Sequence, residues 1–467
     1  MLDFQPVTWR DSMRLRKYYQ NCDYGLCEYS VGAKIMWSGK LKSEFTESHG
    51  CLIVRSSYNG EYVFDYPVAG PDGDLEAALD DIDTDCMRLG IPPVFTVVPE
   101  YKAAALLRRY PLVEVSNNRS WCDYVYRHED LAMFAGRRYS GQRNHIKRFY
   151  KQWPDALLKP LTDRDADAIS AFWEAFEAEF PKKDDPGALE ELAIAKNMLR
   201  FAGSSHFRTG GMFIGDKIVA LCMSEKCGNM LINHIEKALY SYTGVYPAMV
   251  QAFAQRFGAD CQWLNREDDA GDRGLRVSKL QYGPTRLAPK RMFRIRNELY
   301  WNLRQTPILY TDRLTLDLLR EEDIPAYNAL VLDAERNRYW GYDDVAGLGG
   351  PVEERSFYEV AERDFKNRLA INFAIRLRGK LIGEAVLYNF DWHGGAELGC
   401  RIDSAYAGLG YGVEAFAAVA DWGIYELQLL KVVAKCYHEN VSSRKMLASC
   451  MRSVREDETF EYFEKLV

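Results

Sequence analysis

Residues 396–415, with the sequence AELGCRIDSAYAGLGYGVEA, constrain the fold more than any other part of this chain. Leu398, Cys400 and Ile402 alternate with other residues at the period of a half-buried strand. Three glycines follow between 408 and 412, and apolar residues then recur at helical spacing from Val413. A strand, a glycine loop and a helix in this order leave backbone N–H groups free at a helix N-terminus, which suits a diphosphate group. The alternative is a tight turn that binds no ligand.

The same order of elements recurs along the chain. In the last third, two strands flank a turn at Arg378-Gly379, followed by the strand, loop and helix described above and a further strand. In the middle third the turn is Gly215-Asp216, and strands at 230–236 and 262–265 enclose a predicted helix. The first third matches this plan more loosely. The pattern predicts an α/β chain with mixed sheets, built from three units of one architecture, at 1–154, 155–304 and 305–467.

Composition restricts the class of protein and its location. The chain has 467 residues and a formal net charge of −7. No run approaches about 18 apolar residues, and the N-terminus lacks a basic segment followed by an apolar core, so neither a transmembrane helix nor a signal peptide is expected. Eleven cysteines are scattered without a CxxC pair or neighbouring histidine pairs. We therefore expect reduced cysteines, no metal site and a cytoplasmic protein.

Five features of the C-terminal third carry a family resemblance: TDRLTLDLLREED at 311–323, the hairpin, the strand at 396–402, GLGYGVEA at 408–415 and HENVSSRKML at 438–447. Residues 307–467 resemble the GCN5-related N-acetyltransferase (GNAT) superfamily, closest to the branch that includes ribosomal-protein N-terminal acetyltransferases. The resemblance implies acetyl-CoA as cofactor, with its diphosphate in the glycine loop and its pantetheine arm along the preceding strand. By that match the cofactor-binding residues are Leu398, Cys400, Ile402, Gly408, Leu409, Gly410, Tyr411, Gly412, Val413 and Asn440.

Acetyl transfer to an amine requires a base that removes one proton and amides that polarise the thioester carbonyl. Glu397 lies on the strand beside the expected thioester and is the candidate base, the alternative being a solvated strand residue. The tyrosine that often protonates the departing thiolate in this superfamily has no match here. Tyr437 and His438 are the nearby candidates for that role. The glycine loop also carries Ala407 where Gln or Arg is usual.

Three segments of the N-terminal two-thirds carry a second resemblance: WCDYVYRHEDLAMFAGRRYSGQRNHIKRFYK at 121–151, HIEKA at 234–238 and NREDDAGDRGLRVSKLQYGP at 265–284. Residues 1–300 resemble the C-terminal domain of bacterial phosphatidylglycerol lysyltransferases and its stand-alone relatives, which are tandem GNAT-like folds. The lipid-modifying members transfer an amino acid from aminoacyl-tRNA and carry a many-helix membrane domain, which this sequence does not contain. The resemblance implies an aminoacyl- or acyl-transferase, or a module that binds a carrier.

Two basic runs lie in this N-terminal module. Residues 137–151 contain six arginines and lysines and residues 273–296 contain eight, with no acid in either run. Arg143, Lys147 and Lys151 recur every four residues, so on a helix they share a face. Such faces suit the phosphates of aminoacyl-tRNA, coenzyme A or an anionic lipid headgroup. The alternative is a solvated surface whose charges pair with acids elsewhere.

The middle unit has the sequence KALYSYTGVYP, with one glycine, where the last unit has its glycine loop. Few free amides would face a diphosphate there, which favours a donor held by side chains or no donor at all. Polar residues follow the predicted strand ends, where reacting groups commonly lie in such folds, although the same letters suit a turn and a helix start. The substrate-binding residues predicted for this module are Arg143, Asn144, Glu236, Lys237, Asn265, Arg266, Glu267, Arg276 and Lys279.

These observations predict an acyltransferase that acts on a small-molecule or peptide amine, and three hypotheses stay open. Both modules are catalytic, or only the C-terminal domain is catalytic and the N-terminal module binds a carrier. In the third, the chain is a non-catalytic ligand sensor built on degenerate GNAT folds. The intact glycine loop argues against the third hypothesis. Ala407, Met451-Arg452 where the superfamily usually has Gly-Phe, and the missing tyrosine favour it.

Overall fold

A computed structural model of the chain describes residues 2–348 and 350–467, which form two compact units. The ranges of unit 1 are Met1–Asp85, Pro93–Ala104 and Val115–Phe293. The ranges of unit 2 are Cys86–Pro92, Ala105–Glu114 and Arg294–Val467. Four elements contain residues of both units: Leu75–Leu89, Ala103–Arg109, Val113–Asn117 and Arg291–Ile295.

Among the residues described, the strands of unit 1 form two sheets, and eight helices lie entirely within this unit. Its helices are Ser12–Tyr19, Val31–Leu41, His128–Met133, Ser140–Gln152, Ala166–Glu179, Pro186–Leu199, Val245–Phe257 and Arg273–Leu280. Its first sheet has the strand order Gln5–Pro6, Glu44–Ser48, Cys51–Tyr58, Glu61–Asp65 and Val94–Val98, with Val68–Ala69 paired beside Cys51–Tyr58. Its second sheet has the order Arg286–Ala288, Asp123–Arg127, Trp263–Asn265, Met230–Ala238, Lys217–Cys227, Arg208–Ile214 and Leu157–Pro160.

Unit 2 is built around one sheet of eight strands. The strand order is Leu309–Tyr310, Leu314–Asp317, Ala370–Leu377, Lys380–Tyr388, Gly395–Ile402, Lys431–Tyr437, Phe460–Leu466 and Arg452–Glu456. Its helices are Glu298–Trp301, Ile324–Leu332, Asp344–Gly347, Ser356–Lys366, Tyr411–Tyr425 and Val441–Cys450. Helix Tyr411–Tyr425 covers the sheet because its buried residues recur at helical spacing, as in Phe416, Val419 and Ala420.

All three sheets are mixed, which confirms the predicted α/β class with GNAT-like units. Each contains antiparallel neighbours and a parallel pair that is joined through a helix, such as Met230–Ala238 with Trp263–Asn265. Both predicted turns form two-residue hairpins. Leu377 pairs with Lys380 across Arg378 and Gly379, which both have positive φ, and Ile214 pairs with Lys217.

The second sheet of unit 1 combines strands that are far apart in sequence. Strand Asp123–Arg127 lies between Trp263–Asn265 and Arg286–Ala288 and pairs with both. Residues from before and after position 154 therefore share one sheet.

All eleven cysteines are free thiols, and nine of them are buried.

Candidate active site

In unit 2 the parallel strands Gly395–Ile402 and Lys431–Tyr437 pair only at their starts. The pairing runs from Gly395 with Lys431 to Glu397 with Val433. Beyond these residues the two described strands separate, although Gly395–Ile402 stays paired on its other side as far as Ile402. The gap is termed the unit 2 wedge. It leaves one backbone edge of residues 398–402 without a neighbouring strand among the residues described.

The glycine loop lies at the mouth of the unit 2 wedge. Gly410 is the N-cap of helix Tyr411–Tyr425 and is left-handed, with φ 83°, and Gly408 has φ 74°. A Cβ atom at Gly408 would meet nothing within 4 Å, and one at Gly410 would meet only Nη2 of Arg313, at 3.2 Å. Because the first N–H groups of a helix have no intrahelical acceptor, the loop is an open corner that presents backbone donors.

Arg313 holds this loop from the start of the domain and was not predicted from the sequence. Its Nη1 donates to the carbonyl oxygen of Leu409 at 3.0 Å, and its Nε donates to the carboxylate of Glu414 at 2.7 Å. The guanidinium group therefore lies beside Gly410, although it comes from a segment 101 residues before Glu414. It supplies a positive charge beside a loop that has Ala407 at the position usual for Gln or Arg.

The wedge and the loop open into one cavity of about 1850 Å³. The predicted catalytic and cofactor-binding residues that line it are Glu397, Leu398, Cys400, Ile402, Gly408, Gly410, Tyr411, Gly412, Val413, Tyr437 and Asn440. Leu409 and His438 are not among the lining residues of the described chain. Burial raises the pKa of the Cys400 thiol to about 12, so this thiol is neutral at physiological pH.

Glu397 lies at the apex of the wedge, where the two strands part. Its carboxylate accepts hydrogen bonds from the Tyr388 hydroxyl at 2.9 Å and from Nδ2 of Asn389 at 3.0 Å. The ammonium group of Lys435 lies 3.7 Å from the same carboxylate. Burial and the neighbouring Glu397 raise the pKa of Tyr388, so this hydroxyl remains a donor. The carboxylate is therefore held in one orientation and lines the cavity.

The other predicted polar residues of unit 2 differ in their surroundings. Tyr437 lines the cavity, and its ring packs against Phe460 with centroids 4.5 Å apart. His438 instead contacts the carbonyl oxygen of Asp457 through Nε2 at 2.7 Å, a contact that links two strand ends. Asn440 caps helix Val441–Cys450 by accepting from the Ser443 N–H at 3.1 Å.

A buried ion-pair network flanks the wedge on the sheet face that carries Glu397. Arg401 pairs with Glu384 and Asp344, and Glu384 also accepts from the Tyr327 hydroxyl at 2.9 Å. Trp340 covers this face: Cζ of Arg401 lies 4.4 Å from its ring centroid. A Cβ atom at Gly399 would lie 3.1 Å from the same indole, so Gly399 permits the close approach of Trp340.

Unit 1 contains a second wedge of the same kind. Met230–Ala238 and Trp263–Asn265 pair in parallel only from Met230 with Trp263 to Ile232 with Asn265. Gly244 then caps helix Val245–Phe257 with φ 87° and ψ 0°, nearly the conformation of Gly410. A Cβ atom at Gly244, however, would lie 2.5 Å from the His145 carbonyl oxygen. Helix Ser140–Gln152 therefore covers this helix N-terminus, which is closed to a diphosphate.

Several predicted substrate-binding residues meet at the unit 1 wedge. Glu236 accepts from Nη2 of Arg266 at 2.5 Å, and both side chains are largely buried. Glu267 lies 2.9 Å from Nδ1 of His234, whose other ring nitrogen lies 3.5 Å from Glu225. Burial by itself would lower the pKa of His234, but the contact with Glu267 and the neighbouring Glu225 carboxylate raise it to about 9. His234 is therefore a buried cation at neutral pH.

Three more predicted residues support this cluster or lie beside it. Lys279 donates to the carbonyl oxygen of Arg266 at 2.7 Å, and burial lowers the pKa of its ammonium group. Nδ2 of Asn265 donates to the Asp123 carboxylate at 2.7 Å. Lys237 pairs with a glutamate of helix Pro186–Leu199, at 3.0 Å from Glu191.

The sequence interpretation missed Lys290, a deeply buried cation of unit 1. Its side chain is 2% exposed, and its Nζ lies 2.7 Å from Glu28, 2.7 Å from Asp123 and 2.9 Å from Asp268. Burial raises the pKa of Glu28 to about 7, although Lys290 opposes that shift. Cys27, Glu28 and Asp123 have the mutual spacing of metal ligands, and the Lys290 ammonium group lies among them.

The sequence predicts that the charged residues of each basic run share one face that is available to phosphates. The structure differs, because two of these residues are engaged within unit 1. Arg143 donates to the carbonyl oxygens of Phe134 and Gly136, and Arg276 pairs with the buried Asp269 at 2.8 Å. Both arginines therefore hold the fold of unit 1 through direct contacts. Asn144 is exposed on helix Ser140–Gln152.

A fold with an open wedge and glycine loop in unit 2 defines a GNAT-type acyltransferase domain. Residues 313–450 match the acetyltransferase (GNAT) domain, and this match supports an acyltransferase. Residues 20–293, more than half of the chain, match the family described as phosphatidylglycerol lysyltransferase, C-terminal. The chain belongs to that family, and the predicted fusion of the two domains is confirmed.

Individual relatives cover only parts of the chain. It is 24% identical to the uncharacterized protein MYCGA3080 of Mycoplasmoides gallisepticum over 174 residues. These residues are 37% of this chain and 55% of that protein. It is 29% identical to the uncharacterized N-acetyltransferase YnaD of Bacillus subtilis over 102 residues. These residues are 21% of this chain and 60% of that protein. The chain thus spans less than two thirds of either curated relative.

A solved structure matches more than half of the chain. A conserved protein of unknown function from Bacteroides thetaiotaomicron is 25% identical, with a TM-score of 0.58, and matches 63% of this chain over 100% of its own length. Among the residues described, no helix combines the length and the apolar character needed to cross a membrane.

Proposed function

We propose that unit 2 transfers an acetyl group from coenzyme A to the amino group of a small molecule or peptide. The observation that carries this proposal is the single cavity in which the unit 2 wedge meets the open glycine loop. An extended arm fits the unpaired backbone edge of residues 398–402, and an anion fits the helix N-terminus at its mouth. The match of residues 313–450 to the GNAT domain supports the same conclusion.

The residues present fit a bound coenzyme A. The space above Gly408 is empty within 4 Å, so a diphosphate meets no steric barrier there, and the guanidinium of Arg313 lies beside Gly410 to neutralise charge. The amides of Tyr411, Gly412 and Val413 occupy the first helical turn and are the donors for its oxygens. When bound, acetyl-CoA would supply an acetyl group activated as a thioester.

Glu397 is the base in this proposal. Its carboxylate accepts a proton from the acceptor ammonium group, directly or through one water, so that the neutral amine attacks the acyl carbon. Tyr388 and Asn389 fix the orientation of the carboxylate, and the ammonium group of Lys435 lies 3.7 Å from it. Tyr437, which lines the same cavity, is the candidate that returns a proton to the departing thiolate.

Unit 1 is proposed to use a different kind of donor. Its helix N-terminus at Gly244 is covered by the carbonyl of His145, so coenzyme A cannot bind there as it does in the proposal for unit 2. The buried polar cluster of Glu236, Arg266 and Glu267 is the site for an aminoacyl or acyl donor held by side chains. The alternative is that this module only binds a carrier such as aminoacyl-tRNA.

One experiment separates these possibilities. The purified full chain is incubated with acetyl-CoA and a pool of amines, with and without aminoacyl-tRNA, and products are detected by mass shift. Acetylated amines formed without tRNA support the proposal for unit 2, and aminoacylated products that require tRNA support a catalytic unit 1. Calorimetric binding of coenzyme A without any product favours the ligand-sensing alternative. Absence of binding removes the proposal for unit 2.

A further inference from the structure

Residues 333–347 of unit 2 cross the sheet face that carries Glu397. The Trp340 indole lies over Gly399, at 3.1 Å from the ideal Cβ position of that glycine. Gly399 is two residues from Glu397 on one strand, so both positions belong to the same face of the sheet. The segment lines the same cavity as Glu397 and is termed the acceptor-side segment. It forms a wall beside the place where the acceptor amine would meet its base.

The carboxylates of this cavity are already supplied with cations. Six carboxylates line the cavity, and five of them have a cationic side chain within 4 Å. These five are Asp344 and Glu384, which both pair with Arg401, Asp364 with Arg363, Asp391 with Lys431, and Glu397 with Lys435. The sixth, Glu335, is exposed. An acceptor with a second ammonium group would therefore bury a charge beside carboxylates that already have partners, which is unfavourable.

Two cations of the acceptor-side segment are available instead. The side chains of Arg336 and Arg338 line the cavity and form no hydrogen bond or ion pair with any residue that the structure describes. They flank Asn337, whose Oδ1 accepts from Nη1 of Arg401 at 3.1 Å and so holds the segment against the sheet. Burial raises the pKa of the Cys400 thiol, and the positive charge of Arg336 opposes that rise, so this guanidinium lies near the wedge strand.

The glycine loop has a cation of its own. Arg313 lies beside Gly410 and donates to the Leu409 carbonyl oxygen, so the loop carries a positive charge without help from the acceptor-side segment. Guanidinium groups bind carboxylates and phosphates through paired hydrogen bonds. Arg336 and Arg338 therefore suit an anion that enters the cavity with the acceptor.

We propose that the acceptor of unit 2 is an amine that also carries an anionic group, a carboxylate or a phosphate, which Arg336 and Arg338 bind. This inference rests on the acetyl transfer proposed for unit 2. The ammonium group of the acceptor gives its proton to Glu397, while the anionic group pairs with the two guanidinium groups. A polyamine places a second cation where the cavity offers arginines, so the same arrangement selects against it.

Matched amines test this proposal with the full chain and saturating acetyl-CoA. One set is 5-aminopentanoate, pentylamine and 1,5-diaminopentane, and a shorter set is 3-aminopropanoate, propylamine and 1,3-diaminopropane. Within each set only the charge of the far end changes. O-phosphoethanolamine against ethanolamine provides the phosphate arm. We expect kcat/KM to be at least about ten-fold higher for an anionic amine than for its neutral counterpart, because one charged hydrogen bond contributes that much, and lowest for the diamines.

Variants of the acceptor-side segment locate the effect. Arg336→Gln with Arg338→Gln should lower kcat/KM for the preferred anionic amine at least about ten-fold through KM, with unchanged values for pentylamine and unchanged affinity for coenzyme A. Arg338→Glu should shift the preference toward the diamines. Arg304→Gln, at an exposed arginine of unit 2 that is not among the residues lining the cavity, is the matched control and should change none of these values.

The outcomes separate this inference from the function on which it rests. Acetylation of neutral amines or diamines as efficiently as of both anionic types would overturn the inference and leave acetyl transfer intact. Weaker binding of coenzyme A to the double variant, with an unchanged ratio of anionic to neutral amine, would assign the two arginines to the cofactor and also overturn it. Acetylation of no amine at all would remove the proposed function and this inference together.

Discussion

Replacing Gly410 by valine should abolish coenzyme A binding while unit 2 stays folded. Gly410 has φ 83°, and a β-branched residue in this left-handed conformation costs about 1–3 kcal/mol. For a unit of this size, each kcal/mol lowers the melting temperature by about 2–4 °C. The new side chain would also meet Nη2 of Arg313, which lies 3.2 Å from the ideal Cβ position, and displace the guanidinium from the loop.

The expected loss of affinity follows from the donors that the loop presents. A hydrogen bond to a charged group contributes about 1.5–3 kcal/mol, so losing two such bonds to a diphosphate weakens binding by at least about 100-fold. Isothermal titration calorimetry with coenzyme A measures this loss directly. Circular dichroism of the same sample shows whether unit 2 has kept its secondary structure.

The chain offers a matched control for backbone strain. Gly379 has φ 84°, meets no atom within 4 Å of its ideal Cβ, and lies in the turn of a hairpin. Gly379→Val therefore carries the same conformational cost without a side chain in the loop. We expect an equal fall in melting temperature and unchanged affinity for coenzyme A. A folded Gly410→Val protein that binds like the wild type, or an equal loss in Gly379→Val, would refute the reasoning.

Three further predictions concern side chains. Glu397→Gln should lower turnover about 100-fold with nearly unchanged affinity for coenzyme A, and equal turnover across the pH range would remove Glu397 from the mechanism. Lys290→Met should lower the free energy of unfolding of unit 1 by about 3–5 kcal/mol in urea denaturation, because it leaves buried carboxylates without a cation. The double variant with Asp123→Asn should recover part of this stability. His234 has a pKa of about 9 in the folded chain, above its value in the unfolded chain. Its protonation therefore adds up to about 3 kcal/mol to the free energy of unfolding. This stabilisation is complete below about pH 6.5 and is lost as the pH rises through about 9. A His234→Asn variant whose stability falls equally over that range would exclude this group as the cause.

Local sequence patterns were sufficient for the open corner of unit 2. The strand, the glycines and the helix are consecutive in the sequence, so their periodicity and the glycine positions indicate the order and the type of these elements. The two-residue hairpins follow for the same reason. Arg313 could not be found in this way, because its position beside the loop depends on how a distant strand packs against helix Tyr411–Tyr425.

Long-range pairing decides the parts that sequence patterns did not predict. Lys290 contacts Cys27 across 263 residues, and no spacing rule connects them. Charge patterns show the same limit. Arg273 and Arg276 are alike in the sequence, yet Arg276 is paired with Asp269 whereas Arg273 is exposed. The sequence indicates where positive charge is abundant, and only the fold shows which of those charges are already used.

The two wedges show how one backbone plan can serve different donors. Gly244 and Gly410 have nearly the same dihedral angles and stand at the same step between strand and helix. One has a backbone carbonyl 2.5 Å from its ideal Cβ, and the other has only the end of a flexible arginine, at 3.2 Å. Backbone cannot move aside as a side chain can, so removing the His145 side chain would not open the unit 1 corner. Converting unit 1 to coenzyme A binding would require displacement of helix Ser140–Gln152, which packs against the core of unit 1 through Ile146 and Phe149.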